Sequence, residues 1–334
     1  PGDRVAIIAR NGPLQFELLF GCAKAGAICL PINWRLSPRE IAGILDDSTP
    51  ALLIVEDNLQ RLLAETRAPL DVILLSDYPD WRDAGSAQDK GLLPAPDCPL
   101  LILYTSGTTG LPKGVVLSHR NLSFLARMAQ ELWDMSANSV NLVASPLFHI
   151  GGIGYGLTAM SQGGHTVLMH QVVPSEIVVA INAFRVTHGF FVPTVIQMLL
   201  EVPGVADMDM SSINRIVYGG APISEAVLKR AIAVLGTHTH VPSMTATPSV
   251  SAATLGTSSD PLADLLASQN RQPQPLAAQA PASVTGSEQR PSMRAAAIAT
   301  AAAASISSVI FETPASSNPR NKPGNARTLL IWFG

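Results

Sequence analysis

The sequence has 334 residues, enough for one large domain or two ordinary ones. Its formal net charge is −3, with 14% charged and 47% apolar residues. This composition lacks the clustered basic excess of a nucleic-acid-binding protein, so we expect no nucleic-acid partner.

Three cysteines, Cys22, Cys29 and Cys98, are odd in number and lack the spacing of metal ligands. They are typical of small buried hydrophobic residues in a reducing compartment, which predicts a cytoplasmic protein. We expect neither a signal peptide nor a transmembrane segment, because no apolar run in the sequence is long enough to span a bilayer. The sequence leaves open whether the protein contacts a membrane peripherally.

Short apolar runs alternate with amphipathic segments from residue 4 to residue 235. The predicted strands cover residues 4–9, 27–30, 51–55, 72–75, 100–103, 141–144, 165–169, 189–192 and 213–218. The predicted helices cover residues 13–25, 59–65, 118–133, 174–184, 193–201 and 223–235, with another opened by a capping box at Ser37. Strands that alternate with helices predict parallel βαβ units and an α/β fold.

Residues 104–114 (YTSGTTGLPKG) follow one of the predicted strands. Glycines, hydroxyl groups and a lysine suit a loop whose N–H groups turn inward around an anion. Lys113 lies between a proline and a glycine, which is not the arrangement of a Walker A loop. The candidate phosphate-binding residues are Thr105, Ser106, Gly107, Thr108, Thr109, Gly110 and Lys113.

Two further phrases follow predicted strands. Residues 145–152 (SPLFHIGG) include His149, and residues 219–222 comprise Gly219, Gly220, Ala221 and Pro222. In α/β folds, nucleotides bind where strands reach their carboxyl ends. A core histidine bonded to a backbone carbonyl remains the alternative for His149, and a tight βα turn remains the alternative for the glycine pair.

Residues 104–122 resemble the phosphate-binding signature of the adenylate-forming enzymes, the superfamily of acyl-CoA synthetases, luciferases and peptide-synthetase adenylation domains. The resemblance runs from Pro1 to about Gly236. It implies the layered βαβ subdomains of the family's large N-terminal domain, incomplete here. Because residues 1–7 resemble a phrase inside that domain, we expect a fragment that lacks its natural beginning.

The resemblance also implies roles for these residues. The loop would hold the β- and γ-phosphates of ATP, and the turn at 219–222 would lie against the adenine ring. His149 would lie beside the acyl group, where we assign it as the catalytic residue. The phrase at 145–152 is similar to that of fatty acyl-CoA ligases, which implies a fatty or other carboxylic acid, ATP and CoA as substrates.

The family's next phrase is Tyr-Gly-x-Thr-Glu, in which the Thr contacts phosphate and the Glu holds Mg²⁺. The nearest stretch is 241–247 (VPSMTAT), in which Thr245 matches the Thr and Ala246 stands in place of the Glu. Alanine cannot coordinate a hard cation, so we assign no metal ligand. The family's ribose-binding Asp and its C-terminal domain with a catalytic Lys have no counterpart in the sequence.

Residues 237–334 differ in character from the rest of the chain. More than half of them are Ala, Ser, Thr or Pro, a composition that predicts a disordered, low-complexity tail. We therefore expect a partial AMP-binding domain over residues 1–236. We expect ATP-dependent activation of a fatty acid to acyl-adenylate and acyl-CoA, impaired or lost in this copy. The alternatives are a fatty acyl-AMP ligase and a non-catalytic remnant.

Overall fold

The computed structural model describes residues 1–67, 69–86, 88, 91–105 and 112–236, together with the backbone of 309–312 and 326–331. These residues form one compact unit, and a second unit, Ala246–Gln289, lies outside the described residues. The described part is an α/β structure with two sheets, as the alternating pattern predicts.

The first sheet has the strand order β4-β3-β1-β2-β5-β6. Its strands are β1 Arg4–Ile8, β2 Ile28–Pro31, β3 Leu52–Val55, β4 Val72–Leu74, β5 Pro99–Thr105 and β6 Lys113–Ser118. Neighbouring strands are parallel except β5 and β6, which pair antiparallel. The parallel strands are continuous apolar runs because helices or the second half of the fold cover their faces.

The second sheet has the order β10-β9-β7-β8-β12-β11. Its strands are β7 Val140–Val143, β8 His165–Met169, β9 His188–Phe191, β10 Arg215–Tyr218, β11 Val309–Glu312 and β12 Ala326–Ile331. The strands β7 to β10 are parallel, whereas β12 pairs antiparallel with β8 and β11 pairs antiparallel with β12. All four parallel strands therefore end at the same edge of the sheet.

Eight α-helices connect these strands in the described part of the chain. They are α1 Pro13–Ala25, α2 Pro38–Ser48, α3 Tyr78–Asp83, α4 His119–Glu131, α5 Ile150–Met160, α6 Pro174–Ala183, α7 Pro193–Leu200 and α8 Glu225–Leu235. The capping box predicted at Ser37 is confirmed, since Ser37 and Glu40 exchange side-chain to backbone hydrogen bonds at the start of α2.

The structure differs from the local predictions in several places. The segment predicted as a helix over 59–65 is a 3-10 helix, Asp57–Leu63, and the helices α3 and α5 were not predicted. Strand β6 is absent from the prediction because it follows directly on the glycine-rich loop. Its β-branched residues Val115 and Val116 pair with β5, and about half of the surface of each is exposed.

One hydrophobic core joins the two sheets. It contains side chains of the first half, such as Phe16 and Leu101, together with side chains of the second half, such as Trp133 and Tyr155. Helix α5 approaches α1 at Gly156, where a Cβ atom would lie 2.4 Å from the Phe16 ring. The close packing of glycine against an aromatic ring fixes α5 relative to the first sheet.

The predicted disordered tail, 237–334, lies outside the described residues except for the backbones of β11 and β12. These two short segments add an antiparallel pair to the edge of the second sheet at β8. The boundary at Gly236 and the disorder of the remaining tail stay predictions.

His188 is a buried histidine at the start of β9, with 2% of its surface exposed. Its Nε2–H donates to the Trp133 carbonyl oxygen at 2.9 Å, and its Nδ1 lies 2.7 Å from the Thr187 hydroxyl. These contacts fit the neutral ring, and burial lowers the pKa of His188.

The pKa of His188 predicts a pH dependence of stability. Because the folded state holds the ring neutral, the unfolded chain binds a proton first as the pH falls below about 6.5. We expect the free energy of unfolding to fall between that pH and the lower folded pKa, and to fall less in His188→Gln. Urea unfolding at a series of pH values measures this. Equal slopes in both proteins would contradict the prediction.

Candidate functional site

The carboxyl-terminal edge of the second sheet gathers two of the predicted phrases. The segment Ser145–His149 follows β7, and the turn Gly219–Pro222 follows β10. Gly220 has a positive φ of 83°, a conformation that favours glycine, and the position of a Cβ there is 3.6 Å from Val192 after β9. Parallel strands thus bring the predicted adenine and acyl positions to one edge.

His149 is the N-cap residue of α5 and is exposed to solvent along part of its ring. The ring packs on Phe148, with 4.6 Å between the ring centroids. Desolvation by its neighbours, and then the positive charge of Arg35, lower the pKa of His149. A neutral imidazole at this position can donate or accept a hydrogen bond near neutral pH.

An aromatic and cationic cluster beside His149 was missed by the sequence analysis. The guanidinium groups of Arg10 and Arg35 each lie 5.1 Å from the centroid of the Trp34 ring, and Arg35 lies 5.9 Å from that of Phe148. Arg10 also pairs with Glu56. The signal in the sequence was the phrase N-W-R at 33–35, directly before the capping box at Ser37.

The glycines that follow His149 serve close packing. A Cβ atom at Gly152 would lie 2.1 Å from the Pro146 carbonyl oxygen, and one at Gly151 would lie 2.8 Å from the Phe190 ring. These neighbours lie closer than a Cβ atom allows, so the two glycines let the start of α5 pack closely on the preceding segment and on Phe190.

The described flanks of the predicted phosphate loop are Thr105 and Lys113, which face each other across β5 and β6. The Thr105 hydroxyl donates to the Lys113 carbonyl oxygen at 3.5 Å. The Lys113 side chain is exposed, so its charge is free to face a ligand. The rest of the predicted loop, Ser106 to Gly110, lies outside the described residues, as does Thr245.

The predicted site residues are only partly brought together. In the described part of the chain, no hydrogen bond or ring contact joins Lys113 to His149 or to the turn Gly219–Pro222. The same part holds no cluster of three His, Cys, Asp or Glu residues that could bind a metal ion. Ala246, at the position where the sequence analysis expected a Mg²⁺ ligand, is outside the described residues. The described side chains therefore do not by themselves fit a metal centre.

No helix among the described residues has the length and apolar character needed to cross a membrane. Cys22 and Cys29 are buried free thiols, as predicted, whereas Cys98 is a free thiol at the surface. The prediction that all three are buried was therefore wrong for Cys98, which lies in the exposed segment before β5.

Residues 1–284 match the family described as AMP-binding enzyme. The match extends beyond Gly236, where the resemblance was predicted to end. A fatty acid–acyl-carrier-protein ligase of Streptomyces coeruleorubidus is 37% identical over 243 residues, which cover 70% of this chain and 47% of the relative. A long-chain-fatty-acid–CoA ligase of Mycobacterium tuberculosis is 31% identical, over 68% of this chain and 47% of the relative.

The chain thus spans about half the length of the curated relatives it matches. The fold is similar to the inhibitor-bound crystal structure of the N-terminal domain of FACL13 from Mycobacterium tuberculosis. The TM-score is 0.67 and the identity 28%, over 72% of this chain and 62% of that structure. Fold and sequence comparisons therefore indicate the same family.

Proposed function

The chain belongs to the AMP-binding enzyme family, and we propose that it binds ATP and a fatty acid and converts them to an acyl-adenylate and pyrophosphate. The observation that carries the proposal is the shared edge of the second sheet, at which the segment ending in His149 lies with the turn Gly219–Pro222. A nucleotide and an acyl group must meet for this reaction, and one edge holds the candidate position for each.

In this reaction the carboxylate attacks the α-phosphorus of ATP, pyrophosphate leaves, and the acyl-adenylate remains. A thiolate such as that of CoA then takes the acyl group and AMP leaves. The protein's part in the first step is positioning and charge stabilisation. We assign Thr105 to Gly110 and Lys113 to the outer phosphates, the turn 219–222 to adenine, Thr245 to phosphate and His149 to the acyl group.

We further propose that the rate in this chain is impaired. Mg²⁺ offsets the charge that builds up on the leaving pyrophosphate, and the family holds it with a Glu. Because Ala246 stands at that position, the ion lacks this protein ligand here.

Transfer of the acyl group to a carrier protein, in place of CoA, is the second candidate function. It is supported by the relative with 37% identity, which is named as a fatty acid–acyl-carrier-protein ligase. A non-catalytic protein that retains nucleotide binding is the alternative from a different functional class. A cytoplasmic location remains a prediction, supported by the three free thiols.

Exchange of labelled pyrophosphate into ATP tests the proposal. We expect exchange that depends on an added acid, measured with a panel of fatty acids of increasing length and with aromatic acids as the comparison. Product analysis with CoA and with a loaded carrier protein then separates the two acceptors. Exchange that does not respond to any acid in the panel would overturn the adenylation proposal.

Lys113→Ala is expected to weaken ATP binding by about tenfold to 150-fold while changing AMP binding little. The reason is that its charge faces the outer phosphates, and a charge-assisted hydrogen bond contributes about 1.5–3 kcal/mol. Calorimetric titration with each nucleotide measures the two affinities.

Lys229→Ala is the matched control, because Lys229 is an exposed lysine of α8 that pairs with Glu225 within the same helix. It should leave both affinities unchanged. Equal losses of ATP and AMP affinity in Lys113→Ala would remove Lys113 from the phosphate site.

A further inference from the structure

Asn11 is a buried amide three residues after the end of β1, with 7% of its surface exposed. Its Nδ2 donates to the Ser145 carbonyl oxygen at 2.9 Å and to the Met169 carbonyl oxygen at 3.1 Å. Its Oδ1 accepts from the Leu147 N–H at 2.9 Å. One side chain from the loop between β1 and α1 therefore binds the backbone that follows β7 and the end of β8.

These contacts use both donors and one acceptor site of the amide, and they span 134 to 158 positions in sequence. The backbone at Asn11 contributes a fourth contact, because its carbonyl oxygen accepts from His170 Nδ1 at 2.9 Å. A buried amide that satisfies three backbone groups at once fixes their relative positions, since loss of any partner would leave a buried group unpaired.

The segment that Asn11 holds leads directly to His149. Leu147 and Phe148 are buried, with 1% and 4% of their surface exposed, and the His149 N–H donates to the Pro146 carbonyl oxygen at 3.1 Å. The next bond, from the Gly152 N–H to the His149 carbonyl oxygen at 2.9 Å, begins α5. The chain from Leu147 to His149 thus has little freedom once Leu147 is held.

We propose that Asn11 is a positioning residue that holds the segment Ser145–His149 and thereby sets the place of the His149 ring against Phe148 at the candidate acyl site. The inference rests on the proposed function for the identity of that site, but the hydrogen bonds themselves do not depend on it. Asparagine suits the position because aspartate would place a negative oxygen opposite two carbonyl oxygens. A leucine would leave all three backbone groups unpaired.

The test compares Asn11→Ala and Asn11→Asp with the unaltered chain by NMR, without nucleotide or acid. Two signals are followed, the hydrogen exchange of the Leu147 amide and the titration of the His149 ring. In Asn11→Ala we expect Leu147 exchange to be at least about tenfold faster, because a buried hydrogen bond is lost. We expect the pKa of His149 to rise toward its ordinary value as the ring leaves Phe148 and Arg35.

Asn182→Asp is the matched control, because Asn182 Nδ2 donates a single hydrogen bond to the Asp209 carbonyl oxygen at 2.9 Å, between α6 and the segment before β10. It should leave both signals unchanged. The titration of His188 and the exchange of the β3 amides report general loosening of the fold. They should stay constant in Asn11→Ala.

Unchanged Leu147 exchange and an unchanged His149 titration in a folded Asn11→Ala chain would overturn the inference. So would changes no larger than those at His188 and β3, because they would reveal a general loss of stability. If the alanine variant does not fold, the same two signals can be measured in Asn11→Ser, and the Leu147 exchange can be measured in the unaltered chain. Fast exchange of the Leu147 amide in the unaltered chain would directly overturn the proposed role of Asn11. If the Asn11 hydrogen bonds are present but no acid-dependent pyrophosphate exchange is seen, the result would count against the proposed function alone.

Discussion

The chain of 334 residues is expected to form acyl-adenylate at less than about 0.01 per second, at least about a hundredfold below an ordinary enzyme turnover of about one per second. The prediction rests on the proposed place of Ala246 at the Mg²⁺ site, because alanine cannot coordinate the ion that would neutralise the leaving pyrophosphate. Removal of one preorganised charge from a transition state costs about 10²–10³-fold in rate. Acid-dependent pyrophosphate exchange with purified protein and Mg²⁺ measures the rate.

A full-length ligase of the family, assayed in parallel, provides the control for substrates and detection. A turnover of about one per second by this chain would contradict the impairment, and would indicate that another carboxylate completes the metal site. Nucleotide binding without any acid-dependent exchange would support the non-catalytic alternative instead.

Gly152→Ala is expected to destabilise the fold by about 1–3 kcal/mol. In a helix, replacing glycine by alanine normally stabilises, by about 0.5–1 kcal/mol. At Gly152 the added Cβ would lie 2.1 Å from the Pro146 carbonyl oxygen and 2.8 Å from that of Ser145, which are backbone atoms that cannot rotate away. The segment before α5 must therefore shift. Urea unfolding measures the change.

Gly43→Ala is the matched control, because Gly43 lies within α2 and a Cβ atom there would meet nothing within 4 Å. It should stabilise by about 0.5–1 kcal/mol. Gly151→Ala should fall between the two, since its nearest neighbour is the side chain of Phe190, which can move. Equal free energies of unfolding for Gly152→Ala and Gly43→Ala would contradict the prediction, because the segment at Pro146 would then shift without loss of stability.

The α/β class, most of the element positions and the family could be predicted from the amino-acid sequence. Helix α1 and strand β8 have the bounds that were predicted, because a glycine ends the first and turn residues flank the second. The capping box at Ser37 was predictable from four consecutive residues. Such features depend on neighbours along the chain, so the local pattern of apolar and capping residues is sufficient to predict them.

The surroundings of His149 could not be predicted from the sequence. Asn11 was not predicted as a site residue, since its partners lie 134 or more positions away in sequence. The stacking of Arg10 and Arg35 on Trp34 likewise needs the ends of β1 and β2 to lie side by side. Contacts between residues far apart in sequence arise from strand order and helix packing, which a local pattern does not encode.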